Sequence, residues 1–211
     1  PKEYWALEVL LQRNGKPGMF NAKYYGTTKK VELENEEQVN RVLQDIEGKD
    51  FTVTSVKQAD KKRSSAPPFT TSTLQQEASK RLGFPTQKIM KIAQELYEGI
   101  NLGSENGGVQ GLITYMRTDS LRISSVAQEA ARNLIAEMYG EDYFPHTPKQ
   151  YKTKNNAQDA HEAIRPSNAS FIPKNIKKHL TNDQFKLYKL IWERFMASQM
   201  SAAVFNTVSV D

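Results

Sequence analysis

The chain has 211 residues, 38% of them hydrophobic and 25% charged, with Lys and Arg exceeding Asp and Glu to give a formal net charge of +5. That is the balance of a globular protein with enough length for one sizeable core or two modest ones. No eighteen-residue apolar run could span a bilayer, no charged-then-apolar leader opens the chain, and the lack of cysteine excludes disulfides and thiolate metal sites.

A cysteine-free, leaderless chain is expected in the cytoplasm, and its positive balance is compatible with a polyanionic partner without requiring one. The chain does not open with Met and stops inside the strand-like FNTVSVD, so a segment of a longer protein is expected. In chain order, YWALEVLLQ reads as a strand, NGKPG as a turn and MFNAKYYG as a second extended piece. Asn35 can cap a helix with Val39, Val42, Leu43 and Ile46 on one face and Gly48 after it. FTVTSVKQ is β-branched and predicts a strand, and KQADKKRSSAPPF then reads as a crossing between domains.

Helical spacing dominates after residue 65. Leu74, Ala78 and Leu82 mark one helix ended by Gly83. Ile89, Ile92, Ala93, Leu96, Tyr97 and Ile100 mark the apolar stripe of the next, with Gln94 and Glu98 four apart beside it. After the glycine-rich NLGSENGGVQG comes GLITYMRTDS, and then Ser125 with Gln128 predicts a capping box for a helix bearing Val126, Ala130, Leu134, Ile135 and Met138. Polar HTPKQYKTKNNAQ precedes AHEAIRPS. A second capping box, Thr181 with Gln184, opens a long helix carrying Phe185, Tyr188, Leu190, Trp192, Phe195 and Met196. AAVFNTVSV predicts a closing strand that rejoins the first domain's sheet. The fold class expected is α+β.

Three clusters are candidates for chemistry. The first is Tyr115, Arg117, Thr118 and Asp119. From spacing alone it reads as an ordinary helix start, with Asp119 or Ser120 as cap and Tyr115 in the core. The other reading is a phenol nucleophile beside a bidentate phosphate clamp, Arg117. A phenol has a reference pKa of about 10, so a phosphotyrosyl ester stays open to displacement by a free hydroxyl, which suits a reversible bond. The second cluster is QDAHEAIRPS, where HEAIR lacks the second histidine of a zinc-protease motif; with three histidines in the chain a zinc site is not expected. On a helical turn His161 and Arg165 would face one way and suit an anion; otherwise His161 simply caps or packs. The third, PPFTTSTLQQEAS, reads as a plain helix N-cap, or as hydroxyls around a phosphate. GSENGGVQG lacks the Lys-Ser/Thr of a P-loop, so no nucleotide is expected.

In the order FTTSTLQQEASKRLGF, IAQELYEGI, GLITYMRTDS, QDAHEAIRPS and LIWERFMASQM, these stretches closely resemble the central part of the bacterial type IA DNA topoisomerases. The resemblance spans nearly the whole chain and is strongest from Pro67 to Met200. It implies that Tyr115 is the nucleophile that leaves a 5′-phosphotyrosine, that Arg117 positions the scissile phosphate and that His161 contacts the phosphate region. It also implies that Gln94, Glu98, Thr118, Asp119 and Arg165 are supporting polar positions. It implies a toroid, with residues 1–64 as the first part of a discontinuous strand-rich arch, 65–201 as the helical tyrosine domain, and 202–211 as the strand returning to the arch.

The implied activity is ATP-independent relaxation of negative supercoils, with single-stranded DNA as the partner and a monomer as the working form. The family's Mg²⁺ is held by acidic residues of a Toprim domain, including an Asp-x-Asp pair that this sequence lacks, so no metal is expected here and the fragment alone is expected not to relax DNA. The longer glycine-rich loop before Tyr115 is more like Gram-positive members than enterobacterial ones. Two alternatives stay open: a noncatalytic single-strand-binding or protein-interaction module, and the equivalent part of a topoisomerase III or reverse gyrase.

Overall fold

In the computed structural model, residues 3–26, 29–151 and 161–211 are described. The chain forms two compact units, Pro1–Lys57 with Ser209–Asp211, and Gln58–Val208. In the first unit, β1 (Glu8–Gln12) and β2 (Met19–Lys23) pair antiparallel from Glu8↔Lys23 to Gln12↔Met19. The turn between them uses Gly15 at φ 71, which a residue with a Cβ adopts only with strain, and the Glu8–Lys23 ion pair at 3.1 Å sits at the open end. Helix α1 (Glu36–Ile46) starts where the Asn35 side chain accepts from the Gln38 N–H at 2.9 Å. Among this unit's described residues only Leu33 and Val39 are buried apolar side chains, while Tyr4, Leu10, Met19 and Phe20 are exposed.

The predicted strand FTVTSVKQ is displaced. Strand β3 spans Val56–Arg63 and runs through the charged stretch that reads as a crossing. All eight of its residues are exposed, so the ribbon has no buried face for β-branched side chains to seek. Pairing with the closing strand β6 (Ala203–Val210) places it instead. Thr207 Oγ1 donates to the Ala59 carbonyl at 2.7 Å.

The core lies in the second unit, in helices whose ends are signalled locally. Helix α2 (Thr71–Leu82) begins with a reciprocal capping box between Thr70 and Thr73 and ends at Gly83, in the left-handed region at φ 67. Helix α3 (Thr86–Glu98) buries Ile89, Ile92, Ala93 and Leu96 and stops before Gly99. The small hairpin of β4 (Ile100–Asn101) and β5 (Val109–Gln110) frames the glycine-rich loop. Helix α4 (Ser125–Tyr139) is capped one residue earlier than predicted: Ser124, in extended conformation, accepts from the Ala127 N–H, and Gln128 reaches the Lys149 carbonyl rather than the cap.

After the four-residue α5 (Pro173–Ile176), helix α6 (Asn182–Gln199) opens with the predicted Thr181–Gln184 capping box. It packs against α2, α3, α4 and α5. Leu187, Tyr188, Ile191, Trp192, Phe195 and Met196 are buried along it, on more than one face, as a central helix requires. Its two large polar aromatics satisfy the connecting loop: Tyr188 Oη donates to the Phe171 carbonyl at 2.7 Å, and Trp192 Nε1 to that of Ala169 at 2.8 Å. Burial pushes the Tyr188 phenol far above its ordinary range. Arg194 lies 4.5 Å over the Phe69 ring and 3.6 Å from Glu77, tying α6 to α2 and to the segment before it. No helix among the described residues is long and apolar enough to cross a membrane.

Replacing Tyr188 with Phe should leave the Phe171 carbonyl without its donor and lower unfolding free energy by about 1–3 kcal/mol. Urea denaturation followed by tryptophan fluorescence measures this, and an unchanged midpoint would show that water replaces the hydroxyl.

Candidate active site

The site is built from three segments of the second unit: 69–71, which runs into the start of α2, and the non-helical stretches 111–120 and 161–167. GLITYMRTDS does not start a helix. It forms one bridge at Ile113 and is otherwise bends and irregular chain. Burial alternates along it: Met116 (1% exposed), Thr118 (7%) and Ser120 (2%) point inward, whereas Tyr115, Arg117 and Asp119 are exposed. An alternation of period two sends successive side chains to opposite sides, so the phenol, the guanidinium and the carboxylate emerge together while small hydroxyls and a methionine anchor the strip from beneath.

Such a strip has neither helix nor sheet ladder to satisfy its backbone, so side-chain hydroxyls and neighbouring segments do so. Thr71 Oγ1 lies 2.7 Å from the Met116 carbonyl and 3.0 Å from that of Thr118, donating its hydrogen there, and accepts from the Thr118 N–H at 2.8 Å. The Thr71 N–H adds a bond to the Thr118 carbonyl at 2.9 Å. Thr114 plays the same part toward the third segment. Its Oγ1 donates to the Ala163 carbonyl at 2.7 Å and accepts from the Arg165 N–H at 3.0 Å, and its own N–H donates to the Arg165 carbonyl at 2.9 Å. Bridges Phe69↔Ile164 and Ile113↔Pro166 complete the mat. Within the strip, Thr118 Oγ1 accepts from the Ser120 N–H, and Ser120 Oγ from that of Arg122.

On the outward side, the Tyr115 ring is 43% exposed and meets two others edge-on. Tyr97 meets it edge-on at 5.4 Å between centroids and 67°, and His161 at 6.4 Å and 61°. The structure thus brings His161 beside Tyr115, with Arg117 and Asp119 on the same strip. The functional groups of Tyr115, Arg117, Asp119 and His161 have no hydrogen-bond or ion-pair partner among the described residues. Polar groups left uncommitted among the described residues, two of them in ring contact and two on the same exposed strip, are available to a ligand.

The other candidates are committed. Arg165 does not join His161 on a helical turn, because the segment is held extended by its bridges and Pro166 disfavours helix at the residue before it. Its guanidinium turns back to Glu162 (2.5 and 3.1 Å) and to the Pro166 carbonyl (2.9 Å). Burial raises the Glu162 carboxyl, but the charge and hydrogen bonds of Arg165, with those of Ser124, outweigh it and hold Glu162 below the ordinary carboxylate range. Gln94 and Glu98 bond to each other across one helical turn. Of the hydroxyl run, Thr70 and Thr73 are consumed in the α2 cap, and Thr71 in the stitching. Thr118 is a buried anchor. Gln158–Ala160 of the QDAHEAIRPS stretch lie outside the described residues.

Sequence reasoning missed Tyr97, Thr71, Thr114 and Glu162. Helical spacing assigns Tyr97 to the apolar stripe of α3, yet it is 40% exposed, next to the fully buried Leu96 of the same turn. The i,i+3 spacing of Glu162 and Arg165 was the available signal for their pairing.

The Glu162–Arg165 pair generates a pH-dependent prediction. Glu162→Gln should cost about 1–3 kcal/mol, between the values for exposed and buried pairs. Because the folded carboxyl titrates below its unfolded value of about 4.3, the contribution is complete above that pH and fades as pH falls through the folded pKa. The gap between wild-type and variant melting curves should therefore close under acid; a constant gap from pH 7 to pH 3 would contradict the pairing.

Comparison with known proteins bears on this geometry. A family model described as DNA topoisomerase matches residues 1–211. Among solved structures, full-length topoisomerase I from Thermotoga maritima is 36% identical, with a TM-score of 0.71 over 99% of this chain and 34% of that one. The chain therefore spans about a third of that relative's length, and its mixed helix-and-strand architecture is the one found there. On these matches the chain belongs to the type IA DNA topoisomerase family.

Proposed function

We propose that this chain carries the tyrosine side of a single-strand DNA cleavage and religation site. The observation that supports this most is the outward strip of Tyr115, Arg117 and Asp119, with His161 against the Tyr115 ring and all four polar groups uncommitted among the described residues. In the reaction, Tyr115 Oη attacks the phosphorus of one phosphodiester in line with the bond to O3′. The P–O3′ bond breaks, the phenol gives up its proton, and O3′ leaves as a hydroxyl after taking up one. The product is a 5′-phosphotyrosine and a free 3′-hydroxyl.

The number of phosphoester bonds is conserved, so religation by the reverse attack needs no nucleotide. A phenolate, with a reference pKa of about 10, is a better leaving group than an alkoxide, which keeps the reverse step accessible. The role of Arg117 is to hold nonbridging phosphate oxygens bidentately and offset charge developing in transfer. His161 has a double role, fixing the tyrosine ring on one side and donating to the phosphate region. Asp119 and the Gln94–Glu98 pair are supporting polar groups, while Arg165 supports the site through the His161 segment rather than by touching DNA.

Residues 1–64 and 202–211 are assigned to a strand-rich arch, and 65–201 to the tyrosine domain. The Mg²⁺ expected from the family would be held outside this sequence. Among the described residues no three His, Asp or Glu side chains gather.

Two experiments test this reading. In the full-length protein, wild type should carry the label of a 3′-labelled single-stranded oligonucleotide through denaturing electrophoresis, and Tyr115→Phe should bind the same oligonucleotide with no covalent adduct. An adduct with the Phe variant would sink the assignment. Separately, residues 1–211 alone should leave negatively supercoiled plasmid unrelaxed in Mg²⁺, read on an agarose gel; relaxation would show that the chain is self-sufficient.

A further inference from the structure

We infer that Tyr97 is a positioning residue for the nucleophile, setting the orientation of the Tyr115 phenol by edge-on contact of the two rings. The inference rests on the assignment of Tyr115 as nucleophile made above.

The backbone brings Tyr97 to this place by a close junction. The Leu112 N–H donates to the Leu96 carbonyl at 2.7 Å, joining the end of α3 to the start of the tyrosine strip. At Gly111 a Cβ would lie 2.8 Å from the Tyr97 carbonyl oxygen, so only glycine permits the approach. The helix stops one residue after Glu98, at Gly99, whose N–H closes on the Glu95 carbonyl. Tyr97 is therefore fixed at its backbone against Gly111, four residues before Tyr115 on the strip, and its ring stands beside the nucleophile's.

Tyr115 needs such a guide. Its ring is 43% exposed and its hydroxyl has no partner among the described residues, so ordinary packing and hydrogen bonding leave its χ angles loosely determined. In-line attack requires the reacting atoms about 3–3.5 Å apart and aligned. Two edge-on ring contacts, Tyr97 at 5.4 Å and His161 at 6.4 Å, limit where the phenol can swing while leaving its oxygen free. His161 also faces the phosphate region in the proposed reaction, so Tyr97 is the wall whose position is independent of DNA. The contact uses the ring of Tyr97 and not its hydroxyl.

The test uses the full-length protein with a labelled single-stranded oligonucleotide, measuring single-turnover cleavage and equilibrium binding separately. Tyr97→Phe keeps the ring and should cleave within about twofold of wild type. Tyr97→Ala should slow cleavage roughly 3- to 10-fold at saturating oligonucleotide, the range that an aromatic pair converts to, with an unchanged dissociation constant. Tyr97→Leu, which keeps apolar bulk but no ring, should resemble Ala and guards against a folding defect, with melting curves recorded for all three. Wild-type cleavage by the Ala and Leu variants overturns the inference. So does a Phe variant as slow as Ala, which would place the function in the hydroxyl, or a loss confined to binding, which would make Tyr97 a DNA contact. Tyr115→Phe run alongside separates the two levels: an adduct with that variant removes the nucleophile assignment itself, whereas its absence with normal Tyr97→Ala cleavage removes only the positioning role.

Discussion

The candidate site hangs on a backbone problem solved by threonine. The strip from Gly111 to Ser120 lies outside any helix, yet alternate residues of it are buried. Its carbonyls and N–H groups must find partners or cost about 1–3 kcal/mol each. Thr71 supplies them at Met116 and Thr118, and Thr114, within the strip, does the same for the backbone of Ala163 and Arg165, each hydroxyl both donating to a carbonyl and accepting from an N–H. A threonine hydroxyl can do both at once, which a carboxylate or an ammonium group cannot. The three segments so joined come from positions some forty-five to fifty residues apart, and no regular element orders them.

The helices give this mat something rigid to rest on. Helix α6 contacts α2, α3, α4 and α5, and its Arg194 lies over Phe69, whose carbonyl accepts from the Ile164 N–H at 2.8 Å. The packed core therefore reaches the His161-bearing segment through two contacts. The end of α3 reaches the tyrosine strip through the Leu96–Leu112 bond. A site on irregular chain is thereby held by the ends of regular elements, the usual way in which loops carry chemistry on a stiff scaffold.

How much of this was legible in the sequence depended on range. Caps and stripes are local, and Gly83, Thr181 and the buried faces of α3 and α6 could be read from spacing. The α4 cap slipped by one residue because Ser124 and Ser125 are chemically equivalent and only backbone dihedrals choose between them. Strand β3 was misplaced because pairing with β6, about 150 residues away, overrides the preference of FTVTS for extended structure. The anion pair imagined for His161 and Arg165 assumed a helix where Pro166 and two bridges enforce an extended chain. Tyr115, Arg117 and His161 were named by their motifs, but the physical reason for their grouping, alternate burial above a threonine-stitched backbone, is a long-range fact that no window of residues contains.

The alternation along GLITYMRTDS also separates two kinds of inheritance. Side chains that hold the strip in place are buried, and those proposed to meet a ligand are exposed. Changes at 115, 117 or 119 can therefore accumulate without unfolding the strip, and changes at 116, 118 or 120 damage the fold whatever they do to chemistry. A population of variants would divide accordingly, into folded proteins with altered reactivity and proteins that fail to accumulate, with few between. Such a strip can be retuned toward a new substrate one outward residue at a time, without first being made more stable.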